Sequence, residues 1–100
     1  MVIVHARVVL KPGNKPAFLE VARACIAETR KETGCLSYSA FEDITDPDVV
    51  IFYEEWRDEA AVANHMSLPH TQKLLSTAPA FIASPPSIRM HSLLGTTVLA

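Results

Sequence analysis

One hundred residues make one domain rather than two, and their formal net charge of −2 comes from scattered charges with no basic stripe interleaved with aromatics, so nucleic-acid binding has little support. Hydrophobic residues form 49% of the chain, enough apolar surface to rule against disorder. No apolar run approaches the ~20 residues of a membrane helix. The opening MVIVHARVVL, broken by His5 and Arg7, lacks the marks of a signal peptide, so a soluble cytoplasmic protein with no membrane partner is expected.

Val2 to Leu10 is β-branched and alternating: Val2, Val4, Ala6, Val8 and Leu10 share one face of a strand. Lys11-Pro12-Gly13-Asn14 breaks it. Asn14 can cap a helix that starts at Lys15 or Pro16 and runs to Thr33. Phe18, Val21, Ala22, Cys25, Ile26 and Thr29 recur at helical spacing as its buried stripe, and Gly34 is placed to end it. Cys25 on that stripe and Cys35 at the start of the next strand read as free thiols. Cys35 to Ile44 and Val49 to Trp56 form a hairpin around Asp46-Pro47-Asp48. Asp58 caps a second helix, which Pro69 interrupts. His70 to Ser76 and Ala78 to Ala83 suggest further helical turns. Ser87 to Leu94 is a last strand before an apolar tail, 95–100.

The order β-α-β-β-α-β predicts a ferredoxin-like α+β domain, with a core over about 2–94 and both helices on one face of a four-stranded antiparallel sheet. The strands read as apolar on both faces. A lone chain would then leave an apolar sheet face uncovered, so a homodimer with sheets face to face is expected.

Among the residues that can carry chemistry, Glu54 and Trp56 are two apart on a strand and point to the same side. Trp56 and His65 could line one pocket between sheet and helices, with His65 as a base or a half-buried structural histidine. His70 follows Pro69 and fits a capping or surface position. His5 could face the pocket or the dimer seam. His91 has no evident partner. His65 and His70, five apart with a proline between them, match no metal-binding spacing, so no metal is expected. Glu54 and Glu55 point to opposite faces and cannot form a carboxylate pair. There is no glycine-rich phosphate loop and no nucleophile elbow.

The combination is more specific than its parts. Gly34, Cys35 and Tyr38, then Glu54 and Trp56, then Asp58, His65, Pro69 and His70 stand in the pattern of the antibiotic biosynthesis monooxygenases, which include quinol monooxygenases. The chain resembles that family over about residues 2–94. The resemblance implies a dimeric α+β barrel and oxygenation without metal, flavin or haem, with a small electron-rich aromatic or quinol and O₂ as reactants. By that resemblance His65 and Trp56 are the catalytic candidates, and Tyr38, Phe52, Glu54, His70 and His5 the substrate-binding ones. Haem-degrading relatives use an asparagine near the position of Ala6, so haem degradation is not expected. DEAAVANHMSLPH also resembles an isomerase of a phosphorylated hydroxyketone signal, which would need a basic residue such as Arg7 or Arg89 in the pocket. A non-enzymatic ligand-binding domain is the third reading.

Overall fold

The structure is a computed structural model that describes residues 1–100. Its elements are β1 (Val2–Val9), α1 (Lys15–Thr29), β2 (Cys35–Glu42), β3 (Val49–Trp56), α2 (Glu59–Ser67), α3 (Pro69–Thr77), a 3₁₀ turn at Ala78–Ala80, and β4 (Ser87–Ser92). The sheet order is β2-β3-β1-β4, every neighbouring pair antiparallel. This is the ferredoxin-like arrangement expected from the pattern, with two interleaved crossovers.

Register decides which side chains meet the helices. Ala6 stands opposite Phe52 and Ile88, and Val4 opposite Glu54 and Met90. The even-numbered residues of β1 and β3 therefore share the helix-covered face. Val2, Val4, Ala6, Val8, Phe18, Ala22, Phe52 and Trp56 form the core there, closed by Leu10, Tyr38, Val50 and Ala61. The opposite face carries Ile3, Ile51, Tyr53 and Phe41 but also His5, Arg7, Glu55 and Arg89, so it is mixed rather than apolar throughout.

The first turn and the second helix begin as their residues dictate. Gly13 takes φ +84° in a turn closed by Asn14 N–H on the Lys11 carbonyl at 3.0 Å. Asp58 caps α2, its carboxylate accepting from Ala61 N–H at 2.8 Å. Leu68 is extended, as a residue before proline must be, and this separates α2 from α3.

Several boundaries move. Asn14 makes no side-chain cap. The first helix stops at Thr29, not Thr33. Thr29 Oγ1 turns back onto the Cys25 carbonyl at 2.8 Å, and the next residues coil through short-range bonds: Lys31 N–H to Glu28, Glu32 N–H to Thr29, Cys35 N–H to Glu32. Gly34 is therefore not a left-handed helix terminator. It lies against α2, where a β-carbon would come within 2.4 Å of Ala61 Cβ. The hairpin also ends earlier, at Glu42, because Asp43 accepts from both the backbone and hydroxyl of Thr45 at 2.8 Å. The last strand ends at Ser92, and residues 95–100 form no element. No helix is long and apolar enough to cross a membrane.

Candidate functional site

A cavity of about 310 Å³ lies between the sheet and α1–α3. Val4, Ala6, Val8 and Phe52 form its floor, and Val62, Leu74 and Ala78 its roof. Met66, Leu75, Ile88 and Met90 line it while still more than a third exposed, so they mark an apolar mouth along the β4 edge. Only Tyr38, Glu54, His65 and Thr71 interrupt this apolar lining with polar groups, and no lysine or arginine reaches it. The volume is roughly twice the ~150 Å³ cavity that holds a benzene ring, which suits a one- or two-ring molecule.

His65 sits on the inner side of α2, buried to 3% exposure. Its ring packs 4.7 Å from Trp56 and 5.5 Å from Tyr38, centroid to centroid. Nδ1 lies 2.7 Å from Glu32 Oε2 and 3.2 Å from the Thr71 hydroxyl. Burial lowers the His65 pKa below its ordinary value, and the Glu32 hydrogen bond and charge oppose that fall. The imidazole is therefore neutral at neutral pH and available as a base.

Glu54 points into the same space from β3, 6% exposed. Trp56 Nε1–H donates to its Oε1 at 2.9 Å. Burial pushes the Glu54 carboxyl up to about 7, against the lowering effect of the Trp56 bond and aided by the charge of Glu32. Burial likewise raises the Tyr38 phenol, which keeps its proton across the working range. It also raises both cysteine thiols, so neither Cys25 nor Cys35 is an activated nucleophile.

The site residues expected from sequence divide into two groups. Tyr38, Phe52, Glu54 and His65 converge on the cavity. Trp56, expected in the pocket wall, does not reach it. Paired between Val2 and Cys35 at the end of the sheet, it is fully buried and serves as backing for His65 and donor to Glu54. His70 also lies outside the cavity, with Nε2 2.8 Å from Glu32 Oε2. His5 is on the other face of the sheet, because odd positions of β1 point away from the helices. Its ring stacks on His91 at 5.2 Å, the partner that spacing did not reveal.

Glu32 was not among the sequence candidates. It follows the helix in a turn that curls back toward α2, and its side chain is 8% exposed. A glutamate two residues before a glycine carries no signal of that placement. Glu32 Oε2, His65 Nδ1 and His70 Nε2 lie within 4.8 Å of one another, a donor set that sequence spacing did not suggest. Two ligands of a tetrahedral ion, each ~2.0–2.1 Å from it, stand roughly 3.3 Å apart. The observed 2.7 and 2.8 Å are hydrogen-bond separations instead. Glu32 Oε1 is buried and has no hydrogen-bond partner in the protein.

Comparison with known proteins agrees with this architecture. The chain is 31% identical over 98 residues to an uncharacterized protein of Synechocystis sp., sll1783, covering 98% of this chain and 67% of that one. A crystal structure of an antibiotic biosynthesis monooxygenase superposes with a TM-score of 0.88 at 29% identity, covering 95% of this chain and all of that one. The structure of Rv0793 from Mycobacterium tuberculosis superposes with a TM-score of 0.90 at 25% identity, covering 97% and 98%. Residues 1–76 match the sequence pattern of the antibiotic biosynthesis monooxygenases, and with the βαββαβ sheet and the cavity beneath α2 the chain belongs to that family.

Proposed function

We propose that the protein is a cofactor-independent monooxygenase of a small electron-rich aromatic or quinol, with His65 as its base. The observation that carries the reading is a buried, neutral imidazole on the wall of an apolar cavity of one- to two-ring size. A phenolic O–H gives its proton to His65, and the resulting anion is electron-rich enough to reduce O₂. A ring C–H and the O–H together lose two hydrogens. One oxygen atom enters the ring, and the other leaves with those hydrogens as water. The apolar wall excludes competing water, while the Tyr38 phenol, and the Glu54 carboxyl in the protonated fraction that its value of about 7 maintains, are the donors for a developing oxyanion. Phe52 is a wall of the same cavity.

The isomerase reading needs a phosphate partner. Arg7 and Arg89 lie on the far face of the sheet, and the cavity offers no other cation. An uncharged aromatic fits better. Oxygen uptake by the purified protein with a panel of quinols and dihydroxy aromatics is expected to exceed the autoxidation blank, and His65→Ala to lower it by about 10²-fold or more. Uptake equal to the blank across the panel would remove the oxygenase reading in favour of ligand binding.

A further inference from the structure

The reading above uses His65 and leaves Glu32 and His70 without a task. Both His65 Nδ1 and His70 Nε2 lie on one oxygen of Glu32, at 2.7 and 2.8 Å. An ionised carboxylate can only accept, so each of these nitrogens carries a hydrogen. His65 is then the Nδ1–H tautomer, with its lone pair on Nε2. That nitrogen makes no hydrogen bond within the protein, and the ring bearing it lines the apolar cavity.

Glu32 itself belongs to the other side of the wall. It borders a separate polar cleft with Lys31, Arg57 and Asn64, and His70 is partly exposed. The carboxylate thus stands behind the base, away from any molecule in the cavity.

We propose that Glu32 is the positioning residue of His65, and that His70 in turn holds Glu32, so that the three side chains act as a Glu-His-His unit of which only His65 touches substrate. This rests on the reading of His65 as the base. When Nε2 takes the substrate O–H proton, a substrate anion and an imidazolium form together. The Glu32 charge beside Nδ1 balances that imidazolium inside an apolar wall, where it would otherwise be costly. Both histidine contacts fall on Oε2, and Oε1 has no hydrogen-bond partner in the protein.

The test compares wild type with Glu32→Gln, Glu32→Asp and His70→Ala. The first readout is NMR of the ¹⁵N-labelled histidines, which reports tautomer and titration without any substrate. His65 is expected as Nδ1–H in wild type. Glu32→Gln is expected to mix its tautomers and move its titration to lower pH, because the charge that favours the protonated form is gone. The second readout is oxygen uptake. Glu32→Gln should lower kcat by about 10²-fold or more with KM within about twofold, and Glu32→Asp should recover part of that loss. His70→Ala, at a partly exposed side chain, should cost about tenfold.

A wild-type His65 protonated at Nε2, or a tautomer and titration unmoved in Glu32→Gln, would overturn the proposal. Should Glu32→Gln fail to fold, His70→Ala with an unchanged His65 titration and unchanged kcat would overturn it equally. Absence of uptake in wild type, beside a His65 tautomer that depends on Glu32, would uphold the positioning and remove only the oxygenase reading.

Discussion

Glu54 shows how strongly one residue's environment sets its chemistry here. Its carboxyl, pushed up to about 7 in the folded chain, has an ordinary value of 4.5. Between those values the folded state holds a proton that the unfolded state has lost. Stability from this group is therefore complete below pH 4.5 and declines as pH rises through 7. At about 1.36 kcal/mol per unit, the decline is about 3 kcal/mol at most. Glu54→Gln keeps an acceptor for Trp56 Nε1 and removes the titration. Urea unfolding at pH 5 and pH 8 is expected to show wild type losing stability relative to this variant across that interval. Parallel pH dependence of the two would mean that Glu54 is not protonated in the folded state. His65 does not confuse the comparison. Its pKa is lowered, so its effect is confined to pH below about 6.5, and both proteins share it.

The element that assembles the site is the short coil between α1 and β2. Its backbone is tied to the start of α2 by Arg57 N–H on the Gly34 carbonyl at 2.9 Å. Gly34 gives α2 room to approach, since a β-carbon there would meet Ala61 Cβ at 2.4 Å. That approach brings Glu32 to His65. Gly34→Ala must push α2 outward, with an expected loss of about 1–3 kcal/mol in denaturant unfolding. Gly95→Ala is the control, because nothing lies within 4 Å of that position, and it is expected to change nothing measurable. Equal stability of Gly34→Ala and wild type would show that α2 can shift freely. The sequence pattern assigns Gly34 a helix-ending role, but the helix stops at Thr29. The φ of Gly34 is not positive, and its need is proximity rather than backbone freedom.

At the scale of the molecule, the helix-free face of the sheet exposes Phe41 at 55%, with Ile3, Ile51 and Tyr53 beside it. Leu94, and Val98 and Leu99 on the tail, are almost wholly exposed. We propose a homodimer with these faces opposed, since soluble single chains rarely leave such surface uncovered. Light scattering at micromolar concentration should give twice the 11.0 kDa of one chain. A mass of one chain would remove the proposal. The mixed composition of the face, with Arg7, Glu55 and Arg89 among the apolar groups, favours a seam with polar contacts over a fully dry one.

Periodicity carried the reading of the fold because it is local. Val49–Trp56, rich in β-branched and aromatic residues on both faces, is β3 with the expected ends, and Asp58 before an apolar stripe is the cap of α2. Spacing put Glu54 on the same side as Trp56 and set His65 on the inner face of its helix, while Tyr38 entered only through the family resemblance; Glu54, His65 and Tyr38 line the cavity. What spacing cannot show is contact between distant segments. Glu32 stands 33 residues from His65 and 38 from His70, and only the coil after α1 and the break at Leu68 bring the three together. The same holds for His5 with His91, paired across β1 and β4, and for Trp56, withdrawn behind the cavity by its place at the sheet end. The amino-acid order determined the elements and their inward faces, because those depend on neighbours in sequence. The tertiary structure decided which buried charge stands behind which base, because that depends on the closing of the chain.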